Sequence, residues 1–501
     1  MKFKKITDFF FKTKKSELPE LSSQDYGTQD KQEFTEQDFA DLEAHAKGVE
    51  THGFEAFNTE RYEEAIDYWT ESLNYYHKIK SVKSMACMYA NIGTAYRYIG
   101  KLDTALQYYK KALEIDRKTD DKSGIIEGLL NIGITQRYMG ENNEALELFQ
   151  SGYNEAKSVN DSLMMGLFLE NTGYCLLEQF KYDNAIDSFH QLLKIAGDVK
   201  ELNLHADGLR GLVEVYSALA EYDSLLEILA ELQEILKETE MQDLRWRILF
   251  SLLSSYALMG NRQSTDEILK ILSDDRTHDL PLAYVSSYSL VLGKYHCVFG
   301  DYNAGIDFIN NAIEFSKKEW NQKKLALGYN LMAQLMLISD NAGKGIEYAK
   351  NSMKISHACK DKILEILNLV VLAKLARKQG QLSDISRYAS ESLSNSVPLA
   401  RPELTWQAHY CMGMAFHEKR DVKKAFRQYY NAIKLLDEIV SRIPDEHLQR
   451  DYLNVQERSC LFSDLASLVK SSGKKTEIDN VLKEIRSAPM YETLTGHLSA
   501  Q

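Results

Sequence analysis

Apolar residues recur every three or four positions through most of this 501-residue chain, which is the spacing that places them on one face of an α-helix. Alternation of apolar and polar residues, the pattern of a half-buried strand, is not sustained for long anywhere. Small and turn-forming residues interrupt the helical pattern at regular intervals. The sequence therefore predicts an all-α protein whose helices are joined by short turns.

The helical segments repeat with a period of 40 residues. The sequence NIGTAYRYIGKLDTALQYYKKAL at residues 91–113 is followed by NIGITQRYMGENNEALELFQSGY at residues 131–153 and by NTGYCLLEQFKYDNAIDSFHQLL at residues 171–193. Steps of 40 connect a series of mostly small residues: Gly53, Gly93, Gly133, Gly173, Val213, Leu253, Gly293, Ala333, Ala373 and Gly413. A second series begins twelve positions later at Ala65, and seven of its ten members are Ala or Gly. Each unit is therefore expected to be a helix, a short turn and a second helix.

The small residues suggest how each unit packs. A small residue on the first helix would face a small residue on the second, so that the two backbones approach closely. A bulky residue four positions after the second series, such as Tyr109 or Phe149, would fill the gap to the next unit. A glycine seven positions after the first series would end the first helix with a positive φ. Such glycines stand at Gly100, Gly140, Gly260, Gly300 and Gly380. Since neither helix can bury its apolar face alone, we expect the units to stack into one continuous core.

This repeat resembles the tetratricopeptide repeat family over residues 46–435. The residues that carry the resemblance, with their equivalents in other units, are Gly93, Tyr96, Gly100, Leu102, Ala105, Tyr109 and Ala112. The period of 40 is longer than the common period of about 34. It is similar to the period in Pins-type adaptors, kinesin light chains and bacterial peptide-responsive regulators of the Rap type. The resemblance implies a right-handed superhelical α-solenoid of about ten helix-turn-helix units with a C-terminal capping helix.

The two ends of the chain differ from the repeat array. Residues 1–15 combine six lysines with apolar side chains, which fits either an anchor on an anionic membrane surface or a basic terminus that docks on a partner. Residues 16–45 carry nine acidic residues and one lysine, a composition typical of a disordered linker. Residues 436–501 are expected to form capping helices and a tail, with one amphipathic helix at residues 443–471.

Composition and motifs argue against several classes of function. The net charge of −13 disfavours a general nucleic-acid binder, and no run approaches the about 18–20 apolar residues of a membrane-spanning helix. The six cysteines are scattered without a CxxC pair, which indicates reduced core thiols in a cytoplasmic protein. The chain lacks the nucleophile-elbow, HExxH, P-loop and GxGxxG motifs. We therefore expect no enzymatic activity, no cofactor and no metal ion.

The resemblance implies that the first helix of each unit lines a concave surface, which selects the candidate binding residues. An asparagine stands two positions before the small residue in three successive units, and its amide can pair with the backbone of an extended peptide. An arginine four positions after the small residue can bind a carboxylate, and a tyrosine beside it supplies contact area. The predicted peptide-binding residues are Asn91, Arg97, Tyr98, Asn131, Arg137, Tyr138 and Asn171. Packing between helices is the alternative role for each of them.

Inward-facing positions of the later units carry mixed chemistry. The charged ones fit either a polar partner or ion pairs between units, and they are Asp207, Arg210, Glu214, Arg247 and Lys294. The apolar ones in units eight to ten fit either a partner helix or the chain's own C-terminal helix, and they are Leu327, Leu337, Leu367 and Met414.

Two functions agree with these features. The first is a non-enzymatic scaffold or adaptor whose groove binds an extended, acidic segment of a partner protein. The second is a regulatory switch of the Rap type, in which a peptide controls a partner in signalling or transcription. The short and polar N-terminal region favours the first function, because a regulator of that type would be expected to carry an N-terminal helical bundle. The sequence leaves the oligomeric state open.

Overall fold

The computed structural model describes residues 35–274, 282–318, 321–472 and 475–500. Within these ranges the regular elements are 24 α-helices and one short 3-10 helix, and there is no strand. The first twenty α-helices form ten antiparallel hairpins, each with a helix A followed by a helix B. Unit by unit these are α1 (Glu36–Asn58) and α2 (Tyr62–Lys78), α3 (Val82–Tyr98) and α4 (Leu102–Lys118), α5 (Lys122–Tyr138) and α6 (Asn142–Ser158), α7 (Ser162–Glu178) and α8 (Tyr182–Val199), α9 (Leu202–Leu219) and α10 (Tyr222–Glu238), α11 (Gln242–Leu258) and α12 (Arg262–Asp274), α13 (Leu282–Phe299) and α14 (Tyr302–Lys318), α15 (Gln322–Ile338) and α16 (Ala342–Ala358), α17 (Lys362–Lys378) and α18 (Leu382–Ser396), and α19 (Pro402–Glu418) and α20 (Val422–Val440). Four helices follow: α21 (Glu446–Asn454), α22 (Gln456–Ser472), α23 (Lys475–Glu484) and α24 (Ala488–Ala500). The predicted all-α hairpin repeat is confirmed.

One residue with positive φ recurs at almost every twentieth position and ends the preceding helix. All five glycines predicted at turns have positive φ, between 69° and 95°. At Gly100 the backbone N–H donates to the Arg97 carbonyl at 3.1 Å, and the next N–H donates to the Tyr96 carbonyl at 2.9 Å, which is the Schellman arrangement. Non-glycine residues adopt the same conformation at Glu60, Lys80, Asp120, Asn160, Phe180, Lys200, Ala220, Asp340, Lys360, Ala400 and Arg420. These residues accept a cost of roughly 1–2 kcal/mol each, so packing of the hairpins dictates the turn even where the sequence does not favour it.

The small position of helix A accommodates a large ring from helix B of the same hairpin. A Cβ at Gly133 would overlap the Phe149 ring, and a Cβ at Gly173 would lie 2.6 Å from Phe189. The Phe189 ring also lies against Gly211 of the following hairpin. The glycine therefore makes room for the bulky residue of its own hairpin, and Phe189 also reaches the next hairpin. At Gly93 the predicted close approach to helix B is present as well, because a Cβ there would lie 3.3 Å from the Ala105 carbonyl oxygen.

The N-terminal boundary of the array also differs from the prediction. The first described helix, α1, begins at Glu36, so residues 36–45 are helical although their charge assigned them to a disordered linker. Thr35 caps this helix: its hydroxyl oxygen accepts from the Asp38 N–H at 3.2 Å, and Asp38 accepts from the Thr35 N–H at 2.9 Å. The predicted basic segment at residues 1–15 and most of the predicted linker lie outside the described residues.

By its internal contacts the chain divides into unit 1, residues 1–168, and unit 2, residues 169–501. Unit 1 contains the first three hairpins, with an apolar core in its first half around Trp69, Met88 and Ile92. The boundary falls inside α7, and unit 2 contains the rest of that helix, the remaining helices of the repeat and the four C-terminal helices. The apolar residues of the C-terminal helices join one core cluster with those of α9–α12 and α19–α20.

The C-terminal helices α21 and α22 pack against four different hairpins of unit 2. Arg458, on α22, is 5% exposed and donates to the carbonyl oxygens of Tyr452 at 2.8 Å and Leu258 at 3.0 Å. The Tyr222 hydroxyl, on α10, and the Tyr452 hydroxyl each donate to Glu403 on α19 at 2.6 Å. Further contacts to α17 pair Lys374 with Glu457 and Arg377 with Asp464. The chain's own C-terminal helices therefore occupy the surface that these hairpins share.

The predicted single helix at residues 443–471 is two helices. Val455 separates α21 from α22 with φ −57° and ψ 129°, which is not helical. The break allows Tyr452, before it, and Arg458, after it, to approach the same Glu403 carboxylate, with Arg458 Nη2 at 3.6 Å from Oε1.

Candidate partner-binding site

The three predicted asparagines are nearly buried. Asn91, Asn131 and Asn171 stand at equivalent positions of α3, α5 and α7 and are 4%, 6% and 8% exposed. The first two belong to unit 1 and the third to unit 2. Each offers only a small accessible area, so the asparagine series by itself does not form an open surface.

The predicted arginines lie over the tyrosines that follow them. The Arg97 guanidinium is centred 5.3 Å from the Tyr98 ring centroid, and the Arg137 guanidinium is 5.4 Å from that of Tyr138. Arg97 Nε also donates to the Tyr109 hydroxyl at 3.3 Å. In both hairpins the pair occupies the end of helix A just before the turn glycine, so the geometry repeats with the sequence.

The two tyrosines are the accessible members of this group. Tyr98 and Tyr138 are each 44% exposed, although most large apolar side chains of unit 1 are buried. The Tyr98 ring stacks on Tyr62 at 5.2 Å and meets the edge of Phe57 at 5.2 Å. Burial of part of the ring raises the pKa of Tyr98, so the phenol stays protonated and can donate a hydrogen bond. One face of the Tyr98 ring therefore packs on Tyr62 and Phe57, while part of the ring stays accessible to a partner.

Arg97 connects the two pairs. Its charge is close to the phenols of Tyr98, Tyr109 and Tyr138, and among the described residues it has no carboxylate within ion-pair distance. A guanidinium surrounded by phenol rings can still receive a carboxylate or a carbonyl oxygen through its remaining N–H groups. We call Arg97, Tyr98, Arg137 and Tyr138 the arginine–tyrosine strip.

Three of the charged positions predicted in unit 2, Asp207, Arg210 and Arg247, are paired with one another. Asp207 accepts from Arg210 at 2.8 Å and also binds Arg247, which lies 3.1 Å from Asp243. Arg247 Nη2 donates in addition to Asn203 at 3.2 Å. Of the two interpretations left open, ion pairs therefore describe Asp207, Arg210 and Arg247, while the prediction for Glu214 and Lys294 stays open.

The cysteines and the other potential metal ligands of the described residues do not form a metal site. No disulfide joins any of the six cysteines, all of which lie in the described ranges, and the prediction that all are core residues is wrong for Cys87 and Cys460, which are exposed. Among the described residues, His, Cys, Asp and Glu form no group of three placed to hold a metal ion. In the same part of the chain, no helix has both the length and the apolar character needed to cross a bilayer.

These observations define the class of protein: it is an α-helical repeat protein built from antiparallel helical hairpins. Residues 53–118 and 84–157 match the family model described as tetratricopeptide repeat. Residues 53–157 are therefore tetratricopeptide repeats, as the sequence pattern predicted for them. This family consists of protein-binding scaffolds that are usually non-catalytic. The matched residues include every member of the arginine–tyrosine strip.

Solved structures with a similar helical fold include the apo form of RapI and yeast Tom70. RapI is 16% identical, with a TM-score of 0.44 over 55% of this chain and 98% of its own. Tom70 is 15% identical, with a TM-score of 0.32 over 91% of this chain and 96% of its own. No curated protein matches this chain by sequence.

Proposed function

We propose that this protein is a non-enzymatic scaffold that binds an extended segment of a partner protein on unit 1, through the arginine–tyrosine strip. The observation that carries the proposal is the pair of half-exposed tyrosines, each supported by a guanidinium at the end of a helix A. A rigid tyrosine gives a large contact area at a low cost in conformational entropy, and arginine adds directional hydrogen bonds. The guanidinium groups would favour a segment that carries a carboxylate.

Unit 2 supports the choice of unit 1 by contrast. Its C-terminal helices cover the surface shared by four of its hairpins, and Asp207, Arg210 and Arg247 pair with one another. Unit 1 offers two exposed aromatic rings with cationic neighbours in successive hairpins. The two asparagines of unit 1 are included as secondary contacts, because Asn91 and Asn131 keep a small accessible area.

Affinity capture from cell extract followed by quantitative mass spectrometry tests this function. The bait is the full chain, either unchanged or with Tyr98→Ala and Tyr138→Ala together. The matched control is Tyr491→Ala, because Tyr491 in unit 2 is equally exposed at 46%. Loss of two central tyrosines should lower capture of a true partner more than about tenfold, since such side chains contribute about 2 kcal/mol each.

The control separates a specific loss from a general one. A partner retained by Tyr491→Ala and lost with the double variant supports the proposal. Equal capture by all three baits contradicts it. A further bait with Asn91→Ala and Asn131→Ala measures the contribution of these asparagines, with circular dichroism as the check that the helices remain.

A further inference from the structure

Unit 1 contains a second group of chemically active side chains that no sequence motif marks. Cys87 on α3, Asp116 near the end of α4, Asp121 before α5, and Glu127 on α5 are close enough to interact electrostatically, and we call this group the acidic recess because Asp116 in it is buried. Lys83 is the cation beside it, and its Nζ lies 2.8 Å from Asp121 Oδ2. Asp116 and Asp121 therefore share one ammonium group.

Asp116 is the member whose charge is not balanced. It is 7% exposed, and among the described residues its carboxylate accepts no hydrogen bond and has no cation within ion-pair distance. The carboxylate points at the first turn of α5, where a Cβ on Gly124 would lie 2.6 Å from its Oδ2. The missing side chain at Gly124 leaves the space into which Asp116 projects.

The pKa values of Asp116, Glu127 and Cys87 are shifted in the direction expected beside an unpaired negative charge. Burial and the nearby Asp121 raise the pKa of Asp116 to about 7. Burial, Asp116 and Asp121 together raise the pKa of Glu127 to about 7. Cys87 is an exposed residue, and desolvation of its thiol together with the carboxylates of Asp116 and Glu127 raises the pKa of that thiol to about 12. A buried carboxylate without a partner is unfavourable, and a cation placed beside it removes the cost.

We propose that the acidic recess is a binding subsite for a cationic side chain, lysine or arginine, which inserts beside Asp116 and Glu127. The inference deepens the proposed function, because it rests on a partner segment bound to unit 1 and names one residue type in that segment. Glu127 and Tyr138 are eleven residues apart on α5, about 16 Å along the helix, a span that about five residues of an extended peptide cover. A segment with a basic residue about five positions from its acidic or aromatic contact would reach both places.

The proposed occupant is a lysine or arginine of the partner segment. The lysines at residues 1–15 of this chain carry the same chemistry and are the alternative that the last variant below tests. Both require the recess to prefer a positive group of lysine size over a negative one, and the experiment below measures this preference without knowledge of the partner.

Cys87 provides a reporter inside the recess. The full chain is treated at low salt with 2-aminoethyl methanethiosulfonate, which carries an ammonium, and separately with 2-sulfonatoethyl methanethiosulfonate, which carries a sulfonate. In each reaction the Cys87 thiolate forms a disulfide with the ethylthio group, and methanesulfinate leaves. Residue-resolved mass spectrometry gives the rates, and their ratio cancels the thiolate fraction common to both reagents. We expect the cationic reagent to react about tenfold or more faster at Cys87, because the carboxylates concentrate it locally.

Internal and matched controls make the result decisive. Cys460 is also exposed but lies among groups of both signs, namely Asp464, Glu457, Lys374 and Arg377, so its ratio should be close to that of a free thiol. Asp116→Asn with Glu127→Gln should bring the Cys87 ratio down to the Cys460 value. Asp120→Asn removes a single charge from an exposed residue in the same turn and should leave the ratio high. No preference at Cys87, or a preference that survives Asp116→Asn with Glu127→Gln, overturns the proposal and leaves the strip untouched.

A full-length variant with the six N-terminal lysines changed to glutamine distinguishes the two sources of the cation. If the cationic reagent then reacts faster at Cys87 than in the unchanged chain, the chain's own lysines occupy the recess. If the rate is unchanged, the N-terminal lysines do not occupy the recess, as expected for a site that binds a lysine or arginine of the partner.

Discussion

Replacement of Asp116 by asparagine should stabilise unit 1, and the gain should grow with pH. The pKa of the Asp116 carboxyl is about 7 in the folded protein, against an ordinary value of 3.8. Below pH 3.8 the carboxyl is protonated in both the folded and the unfolded chain, so it does not change the free energy of unfolding. As the pH rises, the unfolded chain ionises first, so folding becomes less favourable until the folded carboxyl also ionises above pH 7. A difference of about three pKa units corresponds to about 4 kcal/mol at pH 8 and, by the same linkage relation, about 2 kcal/mol at pH 5.

The titratable groups that face this carboxyl all come from unit 1, and they are Lys83, Cys87, Asp121 and Glu127. Asp116→Asn also removes one of the charges that raise the pKa of Glu127, so that pKa should fall toward its ordinary range.

Hydrogen exchange measured by mass spectrometry on peptides from residues 102–138 tests the prediction locally, which avoids the assumption that the whole chain unfolds in one step. The unchanged protein and the variant are compared at the same pH, from pH 5 to pH 8. The variant should exchange more slowly, and by a larger factor at pH 8. Asp120→Asn, at an exposed position in the adjacent turn, should show no such trend. Faster exchange of Asp116→Asn at pH 8, or a difference independent of pH, would refute the reasoning.

Two further predictions concern the packing of each unit. Gly133→Ala should lower the melting temperature of unit 1, because the new methyl overlaps Phe149 and overpacking costs about 1–3 kcal/mol, whereas Gly48→Ala, with open space at its Cβ, should raise stability by about 0.5–1 kcal/mol. An equal response of the two variants in thermal scans would contradict the ring-over-glycine packing. Arg458→Met should release the C-terminal helices to proteolysis, because breaking its buried pair with Glu403 costs about 3–5 kcal/mol; Glu403→Gln in the same chain should restore part of the protection, and unaltered cleavage of Arg458→Met would show that the pair does not hold them.

Periodicity was sufficient to predict the hairpins and their turns, because a small residue every 40 positions and a glycine at the turn are compatible with only one arrangement of helices. Gly100 and Gly140 have the predicted positive φ. Positive φ at Phe180 or Ala220 could not be predicted, because these residues do not favour it and only the packing of the hairpins imposes it.

The candidate site was only partly accessible from sequence. Arg97 and Tyr98 could be selected by their place in the repeat, but the near burial of Asn91 depends on how neighbouring helices pack. The acidic recess was missed because Cys87, Asp116 and Glu127 come from three helices of two hairpins. The available signal was Gly124, a glycine in the first turn of a helix and outside the repeating small positions, which indicates close approach of another group.

The central claim is that the arginine–tyrosine strip holds the partner, and site-specific photocrosslinking tests it most directly. Benzoylphenylalanine is introduced in place of Tyr138, or in place of Tyr491 as the control with equal exposure. After irradiation in cells, the claim predicts a discrete crosslinked species at position 138 that is absent at position 491 and is lost when Arg97→Ala and Tyr98→Ala are added. Crosslinks of the same identity and yield at both positions, or none at position 138, would contradict it.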